Sequence, residues 1–108
     1  MKTKTINEFI GGWFVGDFEP NVYRTKEFEV GYKYFFKGEK IDAHYHTAVE
    51  INYLSHGKMF VNGVVVNAGE IFIIEPYEMV YPEYLDDCEI VVIKIPSKIN
   101  DKFYEECK

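Results

Sequence analysis

His44-Tyr45-His46 and Glu50 are the residues whose types and spacing point most directly to chemistry. In an extended strand, positions i and i+2 share a face, so both imidazoles point one way and Tyr45 the other. The break Thr47-Ala48-Val49 can turn the chain so that Glu50 enters the next strand on that same face. Two neutral imidazoles and a carboxylate then converge. Such a set holds a divalent transition metal on one side and leaves positions open for water, substrate or oxygen. Spacing alone also admits a plainer reading, in which the histidines are ordinary hydrogen-bonded strand residues.

Other residues bear on the same site. Asn52 has the parity of Glu50 and faces the interior, where its amide needs a partner: the carboxylate, a ligand, or a neighbouring strand. His56 directly precedes Gly57 in an expected turn and is assigned to solvent. Gly11-Gly12-Trp13-Phe14-Val15-Gly16 is an aromatic knot in a glycine setting, expected to pack across a barrel mouth or a partner, with Trp13 a candidate for stacking on a ligand. Cys88 and Cys107 form no CxxC pair, which excludes a structural zinc knuckle and a disulfide framework. Beside Asp86-Asp87, the Cys88 thiol is expected to have a raised pKa and no nucleophilic role. Asp101-Lys102 and Glu105-Glu106 read as a solvated face.

The elements that must position these residues are strands. From Glu29 to Phe36, Val30, Tyr32, Tyr34 and Phe36 fall on one face and Gly31, Lys33 and Phe35 on the other. Glu50 to Leu54 is a second strand. Lys58 to Val61 and Val64 to Asn67 flank Asn62-Gly63, a strong signal for a type I′ hairpin turn. Ile71 to Ile74 follows the Ala68-Gly69 turn, and Glu89 to Ile95 ends at Pro96. Helix is confined at most to the termini, Thr5 to Ile10 and Lys98 to Cys107. Strands at this spacing, joined by tight turns, predict an all-β antiparallel barrel or jelly roll.

The spacing around the histidines extends further: Gly38, five residues, His44, one, His46, three, Glu50, six, Gly57. This resembles the first motif of the cupin family, specifically a small single-domain, RmlC-like cupin, over roughly residues 28 to 95. The resemblance implies a small antiparallel barrel of jelly-roll type and a metal held by His44, His46 and Glu50. The family's second motif, Gly, five residues, Pro, one, Gly, two, His, begins here at Gly69 and then degenerates. Glu75 stands at the proline position, Tyr77 at the glycine and Val80 at the histidine, so the family's fourth ligand is missing. Either three ligands suffice, or Glu75, Glu78 or Tyr81 substitutes, or a metal-free polar pocket remains. The same three residues are the candidate proton carriers. The resemblance implies one divalent ion (Fe, Mn, Zn or Ni) and a small metalloenzyme of dioxygenase or sugar/keto-acid isomerase type acting on a small polar metabolite. The alternative is a non-catalytic cupin that binds or senses a small ligand such as a sugar.

Composition sets the outer bounds. A chain of 108 residues fits one domain, taken as the whole of 1–108. A net charge of -6 and a single arginine, Arg24, argue against nucleic acid and anionic membranes as partners. No apolar run reaches the length of a signal peptide or a membrane span, so a soluble, cytoplasmic protein is expected. Ile71-Phe72-Ile73-Ile74 and Val91-Val92-Ile93 are apolar on both faces, and Tyr45, Ile51 and Tyr53 add to the outer one. That outer face requires a cover, and a homodimer supplies it economically.

Overall fold

The computed structural model describes residues 1–104, and its long strands follow the alternation of the sequence closely. The elements are β1 (Trp13–Val15), β2 (Glu29–Phe35), β3 (His44–Tyr45), β4 (Val49–His56), β5 (Lys58–Val61), β6 (Val64–Asn67), β7 (Ile71–Ile74), β8 (Pro82–Tyr84), β9 (Cys88–Ile95) and β10 (Phe103–Tyr104). They form a five-stranded sheet ordered β1-β2-β9-β4-β7, a three-stranded sheet β6-β5-β8 and a two-stranded ribbon β10-β3. Every strand pairing is antiparallel, the pattern of a jelly roll, although the sheets do not close into one continuous barrel.

The register of the large sheet explains where a site can form. Residues directly opposite across neighbouring strands share a face. Glu29, Lys94, Glu50 and Ile74 make one inward row, and Gly31, Val92, Asn52 and Phe72 the next. Lys33, Ile90 and Leu54 make the third, and Phe35 with Cys88 the fourth. The inner face is therefore polar at one end and apolar at the other. Its apolar end joins Met59, Val61, Val66 and Tyr84 from the smaller sheet in the hydrophobic core, where Leu54 and Cys88 are fully buried. Burying a side chain such as Leu54 contributes about 1.5–3 kcal/mol. That apolar end holds the two sheets together and leaves the polar end open to a pocket.

Local chemistry fixes the turns. Asn62 and Gly63 both have positive φ, 49° and 82°, as a type I′ hairpin requires. The Asn62 side chain then ties the turn to the facing segment, accepting from Tyr81 N–H at 2.8 Å and donating to Met79 O at 3.0 Å. Gly57, at φ 97°, follows β4, and a Cβ there would stand 2.3 Å from the Asp87 carbonyl oxygen. Only glycine fits that close approach.

The termini differ from expectation. Thr5 to Ile10 forms no α-helix; two three-residue 3-10 turns, Ile6–Glu8 and Ile10–Gly12, stand in its place. Lys98 to Tyr104 is not helical either: turns lead into strand β10. Cys107, and with it the end of that expected helix, lies outside the described residues. β10 pairs with β3 across Phe103–Tyr45 and Tyr104–His44. A pairing partner in space thus overrode a short segment's local preference. Among the described residues, no helix is long and apolar enough to cross a membrane.

Candidate functional site

A cavity of about 1140 Å³ runs along the inner face of the large sheet, from its polar end into the apolar core, where Met59, Val61, Tyr84 and Ile90 line it. Its wall carries His44, His46, Glu50 and Asn52, joined by Lys33, Lys94 and Trp13. The histidines and Glu50 thus share one pocket, as their parity requires. His44 is held by its own backbone, which pairs in both directions with Val80 at 2.7 and 3.3 Å. Its Nδ1 lies 2.8 Å from the Asp42 carbonyl oxygen. A carbonyl only accepts, so Nδ1 carries the hydrogen and the Nε2 lone pair is left for a ligand. Burial lowers the pKa of His44 and takes that of His46 down to about 4, the nearby Lys94 charge adding to the effect on His46. Both imidazoles are neutral at pH 7, the form that binds metal.

His46 carries the clearest vacancy for a partner. Its Nδ1 is buried and makes no hydrogen bond, although Glu50 Oε2 stands 3.2 Å away. With His46 neutral and the alignment poor, that contact is neither an ion pair nor a hydrogen bond. Glu50's other oxygen, Oε1, accepts from Asn52 Nδ2 at 3.1 Å. Burial raises the pKa of Glu50, partly offset by that hydrogen bond and by the charges of Lys94, Lys102 and Lys33. An orphaned ring nitrogen facing a carboxylate, beside a second imidazole with a fixed tautomer, suits a divalent cation chemically. The donors stand apart, however. The two imidazole centres are 5.1 Å apart, and among the described residues no group of three His, Cys, Asp or Glu side chains stands close enough to hold a metal ion. A cation bound by all three would have to draw them together.

The loop between His46 and Glu50 is fixed from the far end of the chain. Asp101 Oδ1 accepts from Thr47 N at 2.9 Å and from Thr47 Oγ1 at 2.5 Å, and Oδ2 accepts from Ala48 N at 2.9 Å. Burial alone would raise the Asp101 carboxyl, but these hydrogen bonds together with the Lys94 charge hold it below the ordinary value. Lys94, itself buried, lies 3.5 Å from Glu29 and 3.8 Å from Asp101. Asp101 is therefore not part of a solvated face, as its charged neighbours suggest; it is a buried anchor beside the candidate ligands. Its role has no local signal, whereas Lys94 could have been found by pairing the inward parity of β9 with that of Glu29 and Glu50.

The other expected residues separate cleanly. Trp13 lies on an edge strand, not in a loose knot. It packs flat on Gly31, where a Cβ would come within 2.6 Å of its ring, and it forms part of the pocket wall. Val80 also lines the pocket, beside His44. Glu75, Glu78 and Tyr81 do not: their side chains are exposed, and Glu78 is spent accepting from Glu75 N–H at 3.0 Å. His56 is exposed at the end of β4. Burial raises the Cys88 thiol, which donates to the Lys58 and Asp86 carbonyls.

The sequence matches no protein-family model and no curated protein. Solved structures do share its fold. An RmlC-like cupin from Shewanella frigidimarina, 22% identical, aligns over 69% of this chain and 71% of its own with a TM-score of 0.63. A conserved protein with a double-stranded β-helix domain from Klebsiella pneumoniae, 17% identical, aligns over 97% and 93% with a TM-score of 0.68. The DMSP lyase DddQ from Ruegeria pomeroyi, 15% identical, has a TM-score of 0.70 over 82% of this chain, which spans about half (47%) of that protein. The strand order, the inward register and these likenesses agree: the chain is a small domain with the double-stranded β-helix fold of the RmlC-like cupins.

Proposed function

We propose that the protein is a metal-binding enzyme acting on a small polar metabolite, with His44, His46 and Glu50 holding one divalent transition metal. The observation that carries this reading is the buried, unpartnered Nδ1 of His46 facing Glu50 Oε2 at 3.2 Å on the wall of a large pocket. A bound Fe, Mn, Zn or Ni ion would supply Lewis-acid polarisation of a substrate oxygen or, for iron, oxygen chemistry of dioxygenase type. The chain's own groups prepare the site. Asn52 occupies Oε1 of Glu50 and leaves Oε2 for the cation, while Asp42 fixes the tautomer of His44. Asp101 clamps the backbone between the ligands. The likeness to a DMSP lyase supports an enzyme built on this fold. Replacing His44 and Glu50 together with Ala tests the site: titration calorimetry with Mn(II) should lose its one-to-one binding event. Retained stoichiometric binding would place the metal elsewhere.

One observation favours a non-catalytic binder instead. Val80 fills the position of the family's fourth ligand, and Glu75, Glu78 and Tyr81 lie outside the pocket, while the other carboxylates on its wall are already engaged: Glu29 by Lys94 and Ser97, Asp101 by Thr47, Ala48 and Lys94, and Glu19 by Arg24. Turnover of 2-hydroxy acids, keto acids or sugars by the metal-loaded protein decides between the readings. For the outer face of the large sheet, the partner proposed is a second copy of the chain, supported by the exposure of Ile71, Ile73 and Tyr53 side by side.

A further inference from the structure

Lys33 lines the same pocket and takes no part in holding a cation. It enters from β2 on the inward face, in the row of Leu54 and Ile90, where an ammonium is expensive to place. Its Nζ donates to the Gly11 carbonyl and lies 4.8 Å from the centre of the Trp13 ring. Among the described residues, no carboxylate stands within ion-pair distance of it. Lys94, by contrast, has Glu29 and Asp101. Lys33 is half-buried, and its charge is close enough to act on the Glu50 carboxylate. Burial lowers its pKa, the mark of a cation kept from water without full compensation. A neutral ligand would enclose this ammonium further and leave it without an anion. A carboxylate would return the missing counter-charge, and the indole of Trp13 supplies a flat wall against which it can seat.

We propose that the pocket's ligand is a small organic acid whose carboxylate is received by Lys33 beside Trp13, with its other polar groups turned toward His44, His46 and Glu50. The proposal deepens the metal-site reading by naming the class of ligand, and it rests on that reading for the second end of the molecule. Trp13 is the only tryptophan, so its fluorescence reports on this corner alone.

The test titrates chelator-treated protein with succinate and with its neutral counterpart butane-1,4-diol, following Trp13 emission. Succinate should produce a saturable change at least about tenfold tighter than the diol, the scale of one charge-assisted hydrogen bond. Lys33→Met should erase that preference, and Lys33→Arg should keep it. Equal response to acid and diol in the unaltered protein overturns the proposal without any variant, as does a preference that survives Lys33→Met. Metal content of untreated protein, measured in parallel, separates the two claims. No metal with succinate still selected through Lys33 sinks the metal reading alone; bound metal with no preference for succinate sinks the anion site alone.

Discussion

His44, His46 and Glu50 reach one pocket because strand parity is local, and local parity is legible from a short stretch of sequence. Asn52 follows from the same rule. Asp101 was not legible, since it acts through Thr47, 54 positions away, whereas the inward faces of Lys33 and Lys94 follow from strand parity and only their partners had to wait for the register. Only register reveals such meetings. Asp101 also gives a pH-dependent test. Its folded pKa lies below the ordinary 3.8, so the stability it contributes is complete above that value and is lost as pH falls through the lower, folded one. Asp101→Asn should destabilise the protein by about 2–3 kcal/mol at pH 6, from lost charge-assisted hydrogen bonds. In urea unfolding, the gap between the two proteins should narrow below about pH 4. A gap that stays constant as pH falls from 6 through the acid range would mean that the Asp101 charge is not the source.

At the scale of elements, the four-residue hairpin strands and the long strands β2, β4 and β9 were readable from runs of β-forming residues and turn chemistry. β1, β3, β8 and β10 run only two or three residues, too short for a periodicity to show, and pairing alone defines them. Over Lys98 to Tyr104, where helix was at most admitted, strand pairing takes over: Phe103 stacks on Tyr45 with ring centres 5.2 Å apart and Tyr104 pairs with His44. Tyr45 is consequently covered by its own chain and drops out of the exposed outer surface. Gly57 tests the join between β4 and β5. Gly57→Ala should cost at least about 2 kcal/mol in thermal unfolding, from the positive φ and the collision with Asp87 O. An unchanged melting temperature would show that this turn tolerates a side chain.

For the whole molecule, the five-stranded sheet has two faces with different fates. The inner face carries both the apolar core and a pocket that the core residues and a polar cluster line together. The outer face leaves Ile71 64% and Ile73 55% exposed, the apolar surface on which a second copy is proposed to sit. Light scattering at micromolar concentration should give the mass of a dimer, and Ile73→Glu should convert it to a folded monomer. A monomeric parent protein would show that a second copy does not cover this face. Elemental analysis of protein purified without an affinity tag tests the metal in the pocket. Close to one equivalent of a single divalent transition metal per chain is expected, lost when His44 and Glu50 are both replaced by Ala. Protein that stays metal-free after exposure to Fe(II), Mn(II), Zn(II) and Ni(II) would contradict it.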